Sequence, residues 1–449
     1  MKERFLALVN LKPEELRLAF SLWVLIAINT FVLELADVVA TAGFIGNLGV
    51  DRIPWLWIVT TVITIFAAGF YLVFIDRFPR LQLVIWLLTG LAILYLLLEF
   101  LFAFNAPIWL TYPSLYLLAD QQFMILPLPF WALASDVFAV TESKRVFPFI
   151  ASGAVIGGLL GNGVAALVTY LAEKYTFGLT QIFIAIAIVL IGSALYLRIM
   201  FNNVTLKTRQ SREEHASLNE TIKIGWDYFV NIPVFKAVGI LMFLAGLVLT
   251  LLEFNFLAVI DRSVTSNLEF QRFLGYYKAI QTSGLLVFQW LITSRVLSKI
   301  HLKEAFSVFP ISLAIASGMA FYFPTLFGAA SARFVARTVY SAWDDPARKA
   351  LQGLVPDEKR GRISAFMDSY FITTATVVGC ILLVVLLGLV SNGTLLYETV
   401  IAIYLAIAIV ASVLGILVFV YLRKVYDTSM LNYRLARSKR KSMLDGIEF

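Results

Sequence analysis

TLKTRQSREEHASLNE, residues 205–220, is the most polar passage in a chain that is otherwise apolar almost throughout. It sits inside the segment Asn202–Asn231, the longest polar stretch between apolar runs, near the midpoint of 449 residues. The chain is 60% hydrophobic and 14% charged, with a mean hydropathy of +0.85. A soluble domain carries about 25% charge. A chain this apolar has nowhere to place its surface except in lipid, so the polar segment reads as a linker joining two membrane-embedded halves.

A helix needs roughly 20 apolar residues to cross the hydrocarbon. Outward from the linker, twelve runs meet that length: 18–43, 53–75, 82–103, 108–136, 146–172 and 178–201 before it, and 234–259, 273–297, 305–323, 325–343, 364–391 and 398–421 after it. The expected fold is an all-α integral membrane protein of two six-helix bundles. The break between the ninth and tenth runs rests on Phe323-Pro324. Without it the count falls to eleven and the C-terminus changes side. The expected domains are a first bundle over 1–201, a cytoplasmic linker over 202–232, a second bundle over 233–425 and a basic cytoplasmic tail over 426–449.

Charge placement agrees with an even count. With the N-terminus inside, 29 of the 36 Lys and Arg residues fall at inside positions and four (Arg52, Lys174, Arg262, Arg272) fall in outside loops. Such asymmetry is the positive-inside pattern, with both ends cytoplasmic at a cell membrane. The net charge of +7 therefore reports topology and contact with anionic lipid. No basic stripe with interleaved aromatics stands in a soluble segment, so nucleic acid is not an expected partner. The opening stretch MKERFLALVNLKPEELRLAF, residues 1–20, reads as lying along the inner membrane surface, not as a cleavable signal peptide.

Several chemistries find no residues here. Cys380 is the single cysteine, and His215 and His301 lie far apart. No CxxC, HExxH or carboxylate–histidine cluster is present, so neither a metal nor a cofactor is expected. There is no nucleophile–base constellation for an enzyme. There is no GxxxxGK[ST] loop for a primary pump. The expected partners are a small-molecule substrate and the bilayer, with the chain as a monomer.

The halves echo each other. ESKRVFPFIASG at 142–153 and DEKRGRISAFMDS at 357–369 align at an offset of 215, matching Lys144 with Lys359 and Arg145 with Arg360. LEL at 33–35 and LEF at 252–254 align at an offset of 219. Two parallel six-span repeats around a cytoplasmic linker mark the major facilitator architecture.

Three segments resemble the nucleotide translocases, the ATP/ADP carriers of intracellular bacteria and plastids. They are DVVATAGFIGNLGVDRIP at 37–54, FWALASDVFAVTESKRVFPFIASGAVIGG at 130–158 and DDPARKALQGLVPDEKRGRISAFMD at 344–368. In the first, Asp37, Thr41, Ala42 and Pro54 match the family's pattern. Where the family carries basic residues in its first span, this chain has Leu33, Glu34 and Ala36, so those phosphate partners are absent. The resemblance implies a major facilitator fold and exchange of nucleotides.

A charged side chain at mid-membrane costs at least about 2.5–3.5 kcal/mol on insertion scales, and so faces a cavity or a partner. Glu34 and Glu253 hold corresponding places in spans 1 and 7, roughly 24–29 Å along each helix from the cytoplasmic end. They suit a proton or a cationic group, or hydration near the outer interface. Asp37 lies one turn beyond Glu34 and suits a gate or interfacial contact.

Asp120, Gln121 and Gln122 fall mid-span in span 4. Arg333 and Arg337 fall at similar depth in span 10, four residues apart and so on one face. Their forked donors suit carboxylate or phosphate. Asp120 and Gln121 are expected to contact the substrate together with the arginines; the alternative for Asp120 is an internal salt bridge to one of them. Lys278 either snorkels outward or joins the arginines as a third anion partner. Gly153, Gly157 and Gly161 read as close helix packing. Asp76, Arg77 and Arg80 resemble the superfamily's DRxxR cytoplasmic gate, with Arg295 and Lys299 as the weaker counterpart.

Together these features predict a secondary transporter for an organic anion, a nucleotide or another phosphorylated metabolite. The alternatives are a proton-coupled carrier of another solute using Glu34 and Glu253, and a membrane sensor or scaffold of the same fold.

Overall fold

A computed structural model describes residues 12–75, 78–138, 140–175, 181–202, 218–297, 299–352, 355, 363–364 and 366–444. The described residues are helical nearly throughout. The main helices are α1 (Leu16–Leu48), α2 (Ile53–Ile75), α3 (Arg80–Ala103), α4 (Ile108–Ile125), α5 (Pro127–Val137), α6 (Val140–Tyr175), α7 (Ile182–Met200), α8 (Leu218–Asn231), α9 (Pro233–Ser263), α10 (Asn267–Phe288), α11 (Val308–Tyr322), α12 (Leu326–Val339), α13 (Asp345–Gln352), α14 (Ile372–Ser391) and α15 (Tyr397–Leu444). Residues 1–212 with 261–283 form one compact unit, and 213–260 with 284–449 form another.

Nine helical stretches among the described residues are long and apolar enough to cross a membrane. The three expected runs outside that set, 53–75, 273–297 and 325–343, are helical as well. The latter two are interrupted by π-helical turns at Gln289–Thr293 and Tyr340–Asp344. They also carry Lys278 and the arginine pair, which lowers their hydropathy. The chain is thus an all-α integral membrane protein of about twelve spans.

The break at Phe323–Thr325 is real. Proline cannot donate to a helix ladder, so α11 stops at Tyr322 and α12 restarts at Leu326, with the Thr325 hydroxyl accepting from the Gly328 amide at 3.2 Å. Two features add to the sequence reading. Span 4, Ile108–Val137, is parted into α4 and α5 at Leu126 before Pro127. Helix α15 runs on from span 12 to Leu444, with no Gly or Pro between Gly415 and that residue.

In the first unit, α1 lies against α6 along the glycines of span 5. A Cβ at Gly153, Gly157 or Gly161 would meet the carbonyl oxygens of Trp23, Ala27 or Phe31 at 2.5, 2.0 and 2.5 Å. Buried polar groups in this unit form a chain. The Tyr95 hydroxyl donates to Gln122 Oε1 at 2.9 Å, and Gln122 Nε2 donates to Asn29 Oδ1 at 2.9 Å. Segment 261–283 packs on α6, with Gln271 Nε2 donating to the Ala165 carbonyl at 2.9 Å and Gly275 against the Asn162 carbonyl. Its helix is capped by a box in which Ser266 Oγ accepts from the Glu269 amide and Glu269 accepts from Thr265.

In the second unit, α9 is the most enclosed helix. Gly246 admits Ala375 and the Ile372 backbone of α14, while Asn255 Oδ1 accepts from the Tyr404 hydroxyl of α15 at 2.9 Å. At the C-terminal ends of spans 8 and 10 the two π turns meet, and the Thr293 hydroxyl donates to the Ala342 carbonyl at 2.7 Å. A π turn frees carbonyls from the regular ladder, and this hydroxyl takes one of them.

Candidate functional site

Among the described residues, two ionic clusters stand within the spans, one in each unit. In the second unit, α12 packs through small residues. Gly328, Ala329, Ala332 and Ala336 are buried, which brings its backbone near its neighbours and leaves Arg333 and Arg337 to project one turn apart. On α9, Glu253 is flanked by Leu251, Leu252, Phe254 and Phe256, all essentially buried.

Glu253 takes both arginines. Arg333 engages it as a two-pronged fork, Nη2 to Oε1 and Nε to Oε2, both at 2.8 Å. Arg337 adds Nη2 and Nε to Oε2 at 3.2 and 3.3 Å. The Arg333 guanidinium also lies 4.6 Å from the Phe256 ring centroid, a cation–π contact. The Arg333 side chain is 9% exposed and that of Arg337 is 41% exposed. One arginine is therefore an anchor and the other is accessible. The counter-charge that the sequence offered as an alternative in Asp120 is supplied by Glu253 of α9.

In the first unit, Glu34 and Asp37 stand one turn apart on α1, and Lys278 of α10 reaches both. Its Nζ donates to Asp37 Oδ2 and lies 3.5 Å from Glu34 Oε2. Lys278 thus turns toward the two acids of α1. The span 5 glycines hold this group in place as well as packing the helices. A Cβ at Gly161 would stand 3.1 Å from the Glu34 Cβ, and one at Gly158 would stand 3.7 Å from its Cγ. On α4, Gln121 Nε2 donates to Thr64 Oγ1 at 3.0 Å and to Asp120 Oδ2 at 3.3 Å.

Among the described residues, no group of three or more His, Cys, Asp or Glu side chains is placed to hold a metal ion.

The family model described as TLC ATP/ADP transporter matches residues 42–342. The chain belongs to that family. Among solved structures, the nucleoside transporter NupG resembles it with a TM-score of 0.66 at 14% identity, over 90% of this chain and 99% of that one. A bacterial homologue of the iron transporter ferroportin, in its inward-facing state, gives 0.60 at 14% identity over 92% and 99%. A POT family transporter in complex with 5-aminolevulinic acid gives 0.62 at 12% identity over 91% and 96%. No curated protein sequence matches the chain. The fold is that of the major facilitator transporters, and this TLC family member is a membrane transporter, not an enzyme.

The family match takes in Asp120, Glu253, Lys278, Arg333 and Arg337, whereas Glu34 and Asp37 lie before it. Of the DRxxR element in this TLC chain, Asp76 and Arg77 lie outside the described residues. Arg80 is placed by Asp136, whose Oδ1 is 2.5 Å from its Nη1, and by the Ala132 carbonyl at 3.3 Å. Of its weaker counterpart, Arg295 and Lys299 are both exposed.

A third ionic group escaped the sequence reading. Arg348 of α13 is 2% exposed and donates to Asp344 at 2.7 Å, Asp368 at 3.0 Å and Asp345 at 3.3 Å, while Gln352 adds a bond to Asp368 at 3.1 Å. The i, i+4 spacing of Asp344 and Arg348 was the available signal, but in the stretch DDPARK it reads equally well as a solvated loop.

Proposed function

We propose that this transporter moves an organic anion, a nucleotide or another phosphorylated metabolite, as a secondary carrier working by alternating access. The observation behind this reading is the pair Arg333 and Arg337, one turn apart at membrane depth and fixed on a carboxylate. Two guanidinium forks that bind one carboxylate suit the oxygens of a phosphate or carboxylate ligand equally. Glu253 balances one of the two charges, so these three residues carry one positive charge in excess. The family match and the resemblance to a nucleoside transporter support a nucleotide-like substrate. Exchange at a cell membrane, with both termini cytoplasmic and the chain monomeric, completes the proposal.

A second reading, a proton-coupled carrier of another solute, is favoured by Glu34 and Asp37 around Lys278, where acids outnumber the base. The two readings separate in a thermal-shift screen of purified protein against nucleotides, sugar phosphates, carboxylates and amines, followed by calorimetry. The best ligand is expected to be anionic, and Arg337→Ala to weaken it about tenfold or more, equivalent to about 1.4 kcal/mol, and more than Glu34→Gln does. Affinity should fall with ionic strength, though less than at an exposed site. A neutral or cationic best ligand with unchanged affinity in Arg337→Ala defeats the anion reading.

A further inference from the structure

We propose that Glu253 is an internal stand-in for the anionic group of the substrate. An incoming anion takes the forks of Arg333 and Arg337, Glu253 leaves them, and the freed carboxylate takes up one proton. The inference rests on the anion reading above and names the coupling that goes with it.

The geometry carries the first part. Glu253 meets Arg333 in a two-pronged arrangement and presents the same Oε2 to both nitrogens of Arg337. One carboxylate thereby occupies the inner donors of both guanidinium groups. A phosphate or carboxylate cannot bind the same nitrogens until it has gone. Access is asymmetric in a way that suits exchange: Arg333 is held against Phe256, while Arg337 is the more exposed. An anion meets Arg337 first.

Charge carries the second part. The three residues together carry one positive charge. A dianion on the arginines brings the group to one negative charge, with Glu253 parted from its counter-charges at membrane depth. Such an isolated carboxylate neutralises instead of staying ionised. One proton on Glu253 returns the group to zero. Along α9 itself, no Lys or Arg stands within two turns of Glu253. Arg333 and Arg337 face it from α12. The α9 polar residues on either side of it are engaged: Asn255 Oδ1 accepts from the Tyr404 hydroxyl of α15, and the Thr250 hydroxyl donates to the Thr376 hydroxyl of α14.

The test uses the full chain in detergent and pyrophosphate as probe, titrated calorimetrically in two buffers of different ionisation enthalpy. Wild type should bind with uptake of about one proton, and more tightly at lower pH. Glu253→Gln, which removes the competing charge, should bind about tenfold more tightly with no proton uptake. Glu253→Asp, which keeps the charge but shortens the reach, serves if the glutamine variant does not fold. It should bind more tightly than wild type while retaining proton uptake.

Binding to wild type without proton uptake overturns the proposal. So does weaker or absent pyrophosphate binding in Glu253→Gln, or unchanged or weaker binding in Glu253→Asp. The outcomes also separate this inference from the transport reading. Proton-linked pyrophosphate binding in a protein that moves no anion across vesicles removes the transport reading alone. Anion flux that is unaltered in Glu253→Gln removes the stand-in alone.

Discussion

The carbonyl oxygen of Ala27 lies 2.0 Å from where a side chain at Gly157 would begin. Nothing flexible stands at that point; the obstacle is the backbone of α1, and the same holds for Trp23 opposite Gly153 and Phe31 opposite Gly161. Overpacking of this kind costs about 1–3 kcal/mol. Gly157→Ala should therefore lower the apparent melting temperature in detergent by several degrees. Gly163→Ala, whose Cβ meets nothing within 4 Å, is the control. It should leave the melt unchanged or raise it, since Ala favours a helix over Gly by about 1 kcal/mol. Equal behaviour of the two variants would contradict the packing.

The Lys278–Asp37 pair is half-buried on both sides, with side chains 17% and 32% exposed. Removing the lysine leaves Asp37 and Glu34 one turn apart without it. A double-mutant cycle of Lys278→Ala and Asp37→Ala, read by thermal melting, should give a coupling of about 0.5–3 kcal/mol. Strict additivity would show that the pair does not hold segment 261–283 against α1.

Arg348 is buried among three aspartates, and breaking a buried pair by removing one partner costs about 3–5 kcal/mol. Arg348→Ala should be strongly destabilised, and Arg348→Met combined with Asp344→Leu should recover much of the loss. Without Arg348, the carboxylates of Asp344, Asp345 and Asp368 are left together without the cation they share, and like charges so placed favour protonation of one of them. A carboxyl raised in the fold stabilises the protein while protonated, and that contribution is lost as pH rises through its folded pKa. Acidification from neutral pH should thus restore part of the Arg348→Ala melt. A melt that falls on acidification at least as steeply as wild type would reject this account.

The distribution of Lys and Arg, 29 inside against four outside, predicts that a tag after Phe449 is reached only in permeabilised or inverted membranes. Access from outside intact cells would reverse the topology.

The sequence reading was strongest where local chemistry decides. Pro324 parts α11 from α12, and the four-residue spacing of Arg333 and Arg337 puts both on one face. Partner choice was not legible. Glu253 lies 80 residues from Arg333 and Asp37 lies 241 from Lys278. Hydropathy and periodicity report depth and face, and Asp120 had a depth similar to that of the arginines to recommend it. What distinguished Glu253 from Asp120 was the tertiary fold, which sets Glu253 of α9 against both arginines. Likewise, DDPARK is as polar as any loop, and its burial comes from Asp368 and Gln352 closing over Arg348.

The π turn at Tyr340–Asp344, where the Asp345 amide reaches back five residues to the Tyr340 carbonyl, acts as a phase shift in span 10. One extra residue in a helical turn rotates everything beyond it by about 100° relative to regular winding. Arg337 and Arg348 stand on either side of that shift. The direction in which one points, given the other, is therefore set by a single surplus residue. Deleting Ser341 would keep every charged side chain in this span yet restore regular winding. With Arg348 held in its aspartates, Arg333 and Arg337 would turn about a quarter of a turn away from Glu253. The proposed ligand site is in this sense a matter of helical phase as much as of composition, and a chain with the same residues and one fewer in that turn would carry the charges without the Arg–Glu cluster.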